Sequence, residues 1–248
     1  MNILLVNDDG FFSDGITKLA KALILCGHNV VEVAPDRCCS GMGHAETFNK
    51  EIKVYRRREF QWECYSISGT PCDCIIVGME IMKNRALDMI ISGLNLGTNL
   101  GTEILYSGTV NAAIEAKIRG IKSIALSGRI KKSSDFDYII QLFIENFDYY
   151  ATLIEDGDAI SINYHDEATG NLDHKLAFTG TLYYEDVFTV IKKEDESTYI
   201  LDGIPVIDAV QNSDVTLFHE GYITVTPLSY CFTDFEKLTK LMDGQKKK

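Results

Sequence analysis

The alternation of short apolar runs with amphipathic stretches along the first half is what most limits how this chain can fold. Asn2 to Asn7 is rich in Ile, Leu and Val and ends at Asp8-Asp9-Gly10. From Asp14 to Cys26 the positions Ile16, Leu19, Ala20, Leu23 and Cys26 follow helical spacing, with Ser13 or Asp14 placed to cap the start and Gly27 to stop it. Asn29 to Ala34 is a second apolar run, closed by Pro35; Leu87 to Ser92 is a third, closed by Gly93. A helix fits Val110 to Arg119, with Gly120 as its stop, and Ile121 to Ser127 follows as a strand. Strands that are apolar throughout are buried on both faces, and the intervening helices supply the cover. The pattern therefore predicts an α/β fold: a Rossmann-like, three-layer parallel sheet with helices on both faces.

The second half changes character. Phe136 to Ile154 reads as one longer helix, Ala159 to Asn163 as a strand, and Lys175 to Tyr184 as another. Val187 to Leu201 reads as a β-hairpin with the polar tip Glu194-Asp195-Glu196-Ser197. Tyr222 to Thr226 is a late strand, Phe235 to Met242 a short closing helix, and Lys246-Lys247-Lys248 a solvated tail.

Composition removes several function classes. Of 248 residues, 46% are hydrophobic and 24% charged, a mix able to build a substantial core. Lys and Arg number 24 against 36 Asp and Glu, a formal net charge of −12. Such a surface repels phosphate backbones and anionic membranes, so a general nucleic-acid binder is not expected. The start reads as a strand rather than a signal peptide, and no stretch approaches the ~18 apolar residues of a membrane span. The seven cysteines have neither metal-knuckle nor redox spacing, and are expected to be reduced thiols of a cytoplasmic protein.

Three loops carry the candidate chemistry. Asp8 and Asp9 end the first strand, at the edge where open parallel sheets bind ligands. Neighbouring carboxylates repel unless a cation or proton compensates them; a hard cation such as Mg²⁺ or Mn²⁺ is the obvious partner, a solvated Asp-Asp-Gly turn the plain alternative. The second loop, Asp36 to His44, holds the neutral oxygen of Ser40 between flexible glycines, although a surface loop would look the same, and His44 reads most simply as a structural hydrogen-bonder. The third runs from Ser92 to Thr102 and leads through Tyr106 to Ser107-Gly108-Thr109 at the next helix start. Its unpaired amides and helix dipole suit a phosphate. It is neither a Walker A loop nor a dinucleotide fingerprint, since its glycines at 93, 97 and 101 are four apart. Asn95 and Asn99 add amides. If the strands are neighbours, the three loops share one rim suited to metal-dependent phosphoryl chemistry: a carboxylate-held cation polarises the phosphate and activates water.

The runs NDDG (7–10), APDRCCSGMGHAET (34–47), SGTPCDC (68–74), ISGLNLGTNLGTEILYSGTVNAAIEA (91–116) and GYITVTPL (221–228) resemble the SurE family, the survival-protein 5′/3′-nucleotidases or nucleoside 5′-monophosphate phosphohydrolases. They appear in family order from the first strand to the last. The resemblance implies one divalent metal per subunit held by Asp8, Asp9, Ser40 and Asn95, with Asp8 and Asp9 catalytic. It also implies phosphate contacts from Asn99, Ser107, Gly108 and Thr109. The implied reaction is hydrolysis of nucleoside 5′-monophosphates, with 3′-nucleotides and short polyphosphate as further substrates of some members. The implied assembly is a cytoplasmic homodimer or homotetramer with exchanged C-terminal arms, here the hairpin near 187–201 and the last helix. The chain is accordingly read as one SurE-like domain over 1–248, with a core at 1–130 and a C-terminal part at 131–248. It departs from the family pattern at Cys38-Cys39, Ser13-Asp14 and Tyr164-His165. The competing classes are a non-catalytic nucleotide-binding module and a signalling receiver domain; the latter needs a phospho-acceptor Asp where this chain has Gly93-Leu94-Asn95.

Overall fold

The computed structural model describes residues 1–166 and 172–245, so the three terminal lysines lie outside it. In chain order the elements are β1 (Asn2–Val6), α1 (Asp14–Leu25), β2 (Asn29–Pro35), β3 (Val54–Arg57), β4 (Glu63–Ile67), α2 (Pro71–Ile81) and β5 (Met89–Leu96). A 3₁₀ turn at Gly101–Leu105 leads into α3 (Gly108–Ile118), followed by β6 (Ser123–Gly128), α4 (Ser133–Glu145), α5 (Phe147–Thr152) and β7 (Ala159–Tyr164). The remainder is β8 (His174–Leu176), β9 (Thr181–Lys192), β10 (Ser197–Asp208), α6 (Asp214–His219), β11 (Ile223–Pro227) and α7 (Phe235–Gln245).

Among the described residues, nine strands form one sheet in the order β3-β4-β2-β1-β5-β6-β7-β11-β8. Side chains alternate across a strand, so β1 sends Ile3 and Leu5 to one face and Leu4 and Val6 to the other, all fully buried. On the first face they meet Ile16, Leu19 and Leu23 of α1 and Phe136, Ile139 and Phe143 of α4. On the second, Leu4 and Val6 meet Cys74 and Ile75 of α2 and Ala112 and Ala116 of α3. These are the three layers expected from the apolar strand runs.

The sheet is mostly, not wholly, parallel: β3 pairs antiparallel with β4, and β11 antiparallel with β7. Other boundaries differ from the sequence pattern. The strand expected to stop at Ser92 continues to Leu96, with a register shift against β6 between Ser92 and Asn95. The helix expected over 136–154 is two, α4 and α5, parted at Asn146, whose Nδ2 donates back to the Leu142 carbonyl at 2.9 Å. The run 175–184 divides between β8 and the start of β9. The hairpin is longer than 187–201: β9 and β10 pair from Thr181↔Asp208 to Lys192↔Ser197 as a separate two-stranded ribbon. Four of the seven thiols are buried (Cys39, Cys64, Cys72, Cys74) and none is paired.

Candidate active site

β1 lies between β2 and β5, parallel to both. The chain leaves β1 toward β2 on one side and later returns to β5 on the other. The crevice at the carboxyl ends of β1 and β5 is therefore a topological switch point, where such sheets bind ligands. Asp8 and Asp9 follow β1 directly, and Asn95 stands near the end of β5.

The loop after β2 is tied to this crevice at three places. The Cys39 N–H donates to the Asp8 carbonyl at 2.7 Å, and the Gly43 N–H to the Tyr106 carbonyl at 2.9 Å. His44 bridges Glu115 (2.9 Å) and Asn111 (3.2 Å) of α3, the structural role expected of it. Ser40 is thus brought beside Asp8, with its Oγ 3.1 Å from the Cys38 thiol. The turn at Asp8-Asp9-Gly10 is braced by Asn7, whose Nδ2 donates to the Gly10 carbonyl (3.0 Å) and to Ser13 Oγ (2.8 Å).

Asp8 is only 3% exposed. Burial raises its carboxyl above the ordinary carboxylate range, while the Thr109 hydroxyl and the Gly108 and Thr109 amides pull the other way. The Thr109 hydroxyl donates to Asp8 Oδ1 at 2.5 Å. The start of α3 therefore aims its free N–H groups at a carboxylate, the charge a helix N-terminus favours. Gly108 is required there by close approach: a Cβ would lie 2.7 Å from Asp8 Cβ and 3.0 Å from its Oδ2. Asp9 is pushed up to about 6 by burial, relieved by the Leu96 N–H that donates to it at 3.1 Å and reinforced by the charge of Asp8.

Asp8, Ser40, Asn95, Asn99 and Ser107 line one open cleft of about 310 Å³. Five of the eight residues picked out in the sequence thus share a wall; Asp9 faces Leu96, and Gly108 and Thr109 touch Asp8 from the α3 side. Asn95 Nδ2 donates to the Gly97 carbonyl at 2.9 Å, which orients its amide and leaves the oxygen as an acceptor. Asn99 is anchored to β6 and β7: its Nδ2 donates to Ser127 Oγ at 2.7 Å, and its N–H to Asn163 Oδ1 at 2.8 Å. Ser107 caps α3 by accepting from the Val110 N–H at 3.1 Å. Glu103 and Tyr184 also line the cleft and were not singled out in the sequence. Tyr184 arrives from the hairpin, 81 residues after Glu103, a proximity no local spacing encodes.

The donor set suits a hard cation. Two repelling carboxylates stand beside a hydroxyl and an amide oxygen, and among the described residues no three His, Cys, Asp or Glu side chains are grouped so as to hold a metal ion by themselves. This is oxygen chemistry, not the nitrogen and sulfur chemistry of a zinc site.

Comparison with known proteins decides the lineage. Residues 3–186 match the family "Survival protein SurE". The chain is 36% identical to "5′-nucleotidase SurE" of Pseudothermotoga lettingae, covering 98% of this chain and 94% of that protein. The chain belongs to the SurE family. It is also 34% identical to "5′-nucleotidase SurE" of Caldanaerobacter subterraneus over 97% of this chain and 96% of the relative. The crystal structure of SurE protein from Aquifex aeolicus superposes with a TM-score of 0.82 at 31% identity, covering 99% of this chain and all of that one. The SurE fold accounts for the β1–β5 crevice and the glycine-rich approach to α3.

Proposed function

We propose that this SurE chain is a metal-dependent 5′-nucleotidase that hydrolyses nucleoside 5′-monophosphates to nucleoside and phosphate in the β1–β5 cleft. The observation that carries the reading is Asp8 itself. It is a buried carboxylate at the switch point, clamped by Thr109 and the first amides of α3, with Asp9, Ser40 and Asn95 around it. The names of the relatives support the same activity.

In this reading Asp8, Asp9, Ser40 and Asn95 hold one divalent cation per subunit, Mg²⁺ or Mn²⁺. Such a cation supplies Lewis-acid polarisation of a phosphoryl oxygen and activation of water. The side chains do the rest. Thr109 keeps Asp8 in one rotamer, so that the carboxylate is preorganised rather than mobile. The second Nδ2 hydrogen of Asn99 and the hydroxyl of Ser107 face the phosphate, with Gly108 and Thr109 completing the helix end behind them. Asp8 and Asp9 are the catalytic pair, and burial makes both more basic than ordinary carboxylates, which suits a proton acceptor. Substrates extend in this proposal to 3′-monophosphates and short polyphosphate.

The proposal includes a single SurE-like unit over the whole chain and a cytoplasmic location, supported by seven unpaired thiols. No helix among the described residues is long and apolar enough to cross a membrane. It also includes a homodimer or homotetramer joined by exchanged C-terminal arms. The hairpin exposes Phe188, Ile191 and Tyr199, and α7 exposes Phe235, Leu238, Leu241 and Met242 at helical spacing. Apolar faces of that extent mark contact surfaces.

The test is phosphate release from 5′-mononucleotides by protein stripped with a chelator and then given Mg²⁺ or Mn²⁺. Release restored by either ion supports the assignment. Nucleotide binding without release by the metal-loaded protein would make it a binding module.

A further inference from the structure

The Asp8 cleft adjoins a second, larger one of about 750 Å³, between the 3₁₀ turn Gly101–Leu105 and the root of the β9–β10 hairpin. Glu103, Tyr106 and Tyr184 line both. The larger cleft adds apolar walls from Leu105, Leu182 and Leu201. We propose that this cleft receives the nucleobase of the substrate and that Glu103 selects guanine. The proposal rests on the nucleotidase reading and names the base preference of the same site.

The geometry fits a mononucleotide. Glu103 stands one turn before Ser107, whose N–H donates to the Glu103 carbonyl at 3.2 Å, so the phosphate end and the larger cleft adjoin across a single turn, within the reach of one nucleotide. Tyr106 and Tyr184 are 68% and 47% exposed. Aromatic faces held open beside an apolar wall are the means by which proteins stack an unpaired base. The hairpin root is pinned to the turn, for the Thr102 hydroxyl donates to the Leu182 carbonyl and the Tyr184 phenol donates to Glu103 Oε1 at 2.6 Å. The Leu100 N–H reaches Glu103 Oε2 at 3.4 Å. These two bonds fix the carboxylate and leave each oxygen a lone pair.

The selection follows from donor and acceptor patterns. A carboxylate only accepts. Guanine alone offers two adjacent donors on its pairing edge, N1–H and the 2-amino group, matching both oxygens at once. Adenine and cytosine place an acceptor nitrogen beside their amino group, and uracil sets one N–H between two carbonyls. Asp186 and Asp202, on the same cleft, add acceptors and no donors. Asp186 and Asp202, which line the larger cleft and not the Asp8 cleft, would repel a phosphate, which places the base at this end.

The experiment compares kcat/KM for 5′-GMP, 5′-IMP, 5′-AMP and 5′-CMP with that for phenyl phosphate, which has no base, on metal-loaded enzyme. Each lost hydrogen bond to a charged acceptor is expected to lower kcat/KM about ten- to hundredfold. The order is therefore GMP, then IMP, which lacks the 2-amino group, then AMP and CMP. In Glu103→Gln one oxygen becomes an N–H donor, which suits adenine, so the GMP-to-AMP ratio is expected to fall at least tenfold. Equal kcat/KM for all four nucleotides in the wild type overturns the proposal without any variant, and so does a GMP-to-AMP ratio that Glu103→Gln leaves unchanged. Turnover of every nucleotide with no discrimination refutes the base assignment alone. Absence of phosphate release from every substrate refutes the nucleotidase reading and the base assignment with it.

Discussion

Replacing Thr109 by valine removes one oxygen and nearly nothing else. The Thr109 hydroxyl donates to Asp8 Oδ1 at 2.5 Å in a fully buried position, and valine has the same shape. A hydrogen bond to a charged group contributes about 1.5–3 kcal/mol. Because the bond favours the ionised carboxylate, its loss falls on the form of Asp8 that binds a cation. At about 1.4 kcal/mol per tenfold, cation affinity drops by about ten- to hundredfold, the range expected when the partner of a metal ligand is removed. Loss of the bond also raises the Asp8 carboxyl further above its ordinary range. The variant should therefore recover cation affinity as pH rises, to a larger extent than the wild type. Titrating Mn²⁺ into chelator-stripped protein at several pH values, read by phosphate release and by calorimetry, measures both effects. At saturating Mn²⁺ the variant should regain most of its turnover. A Mn²⁺ midpoint within twofold of the wild type at every pH would show that Thr109 does not position a metal-binding Asp8.

Other consequences follow from the same coordinates. Gly108→Ala puts a Cβ 2.7 Å from Asp8 Cβ and 2.9 Å from Pro71 Cγ, so Asp8 or α3 must shift. Phosphate release should fall about a hundredfold while circular dichroism keeps its helical signal, and an undiminished rate would contradict the close approach. Glu32, fully buried under Trp62, is pushed up to about 7 by burial, against the relieving indole N–H bond. The folded chain thus holds this proton from the ordinary 4.5 up to about 7, where the unfolded chain has released it, and stability falls as pH rises through that window. At about 1.4 kcal/mol per pH unit the loss is about 3 kcal/mol above pH 7. Glu32→Gln should flatten this part of the thermal-denaturation profile between pH 5 and 8; a drop as steep as the wild type's would contradict it. Charging the exposed face of α7 with Phe235→Asp and Leu238→Asp should lower the solution mass measured by light scattering. An unchanged mass would remove α7 from the assembly contact.

Much of the site was legible because its residues sit next to strand ends. Asp8 and Asp9 end β1 and Ser40 follows β2, while Asn95 sits on β5; the apolar runs that mark those strands place the loops on one rim. What the pattern missed has physical causes. α2 (PCDCIIVGMEI) is apolar nearly all round because it is buried between sheet and α3, so no helical period shows. Its start was nonetheless written in the chain, with Thr70 accepting from the Asp73 N–H, Asp73 answering to the Thr70 N–H, and Pro71 at the first turn. β3, Val-Tyr-Arg-Arg, is an edge strand with charged side chains and carries no apolar run. The hairpin looked short because Gly203 and Pro205 interrupt β10, which tolerates them at the edge of a two-stranded ribbon. Thr109 was read as a phosphate contact, and spacing alone did not show that its hydroxyl turns back onto Asp8. The meeting of Glu103 with Tyr184 depends on the path of the hairpin.

The most direct test of the central claim is phosphate release from 5′-mononucleotides by Asp8→Asn, with Mn²⁺ binding measured on the same protein. The change removes the charge and keeps the shape, and Asn still accepts from the Thr109 hydroxyl. Turnover should fall about 10³-fold, Mn²⁺ affinity should fall with it, and the folded far-ultraviolet spectrum should persist. Turnover and Mn²⁺ affinity like those of the wild type would contradict the assignment of Asp8, and with it the reading of the cleft.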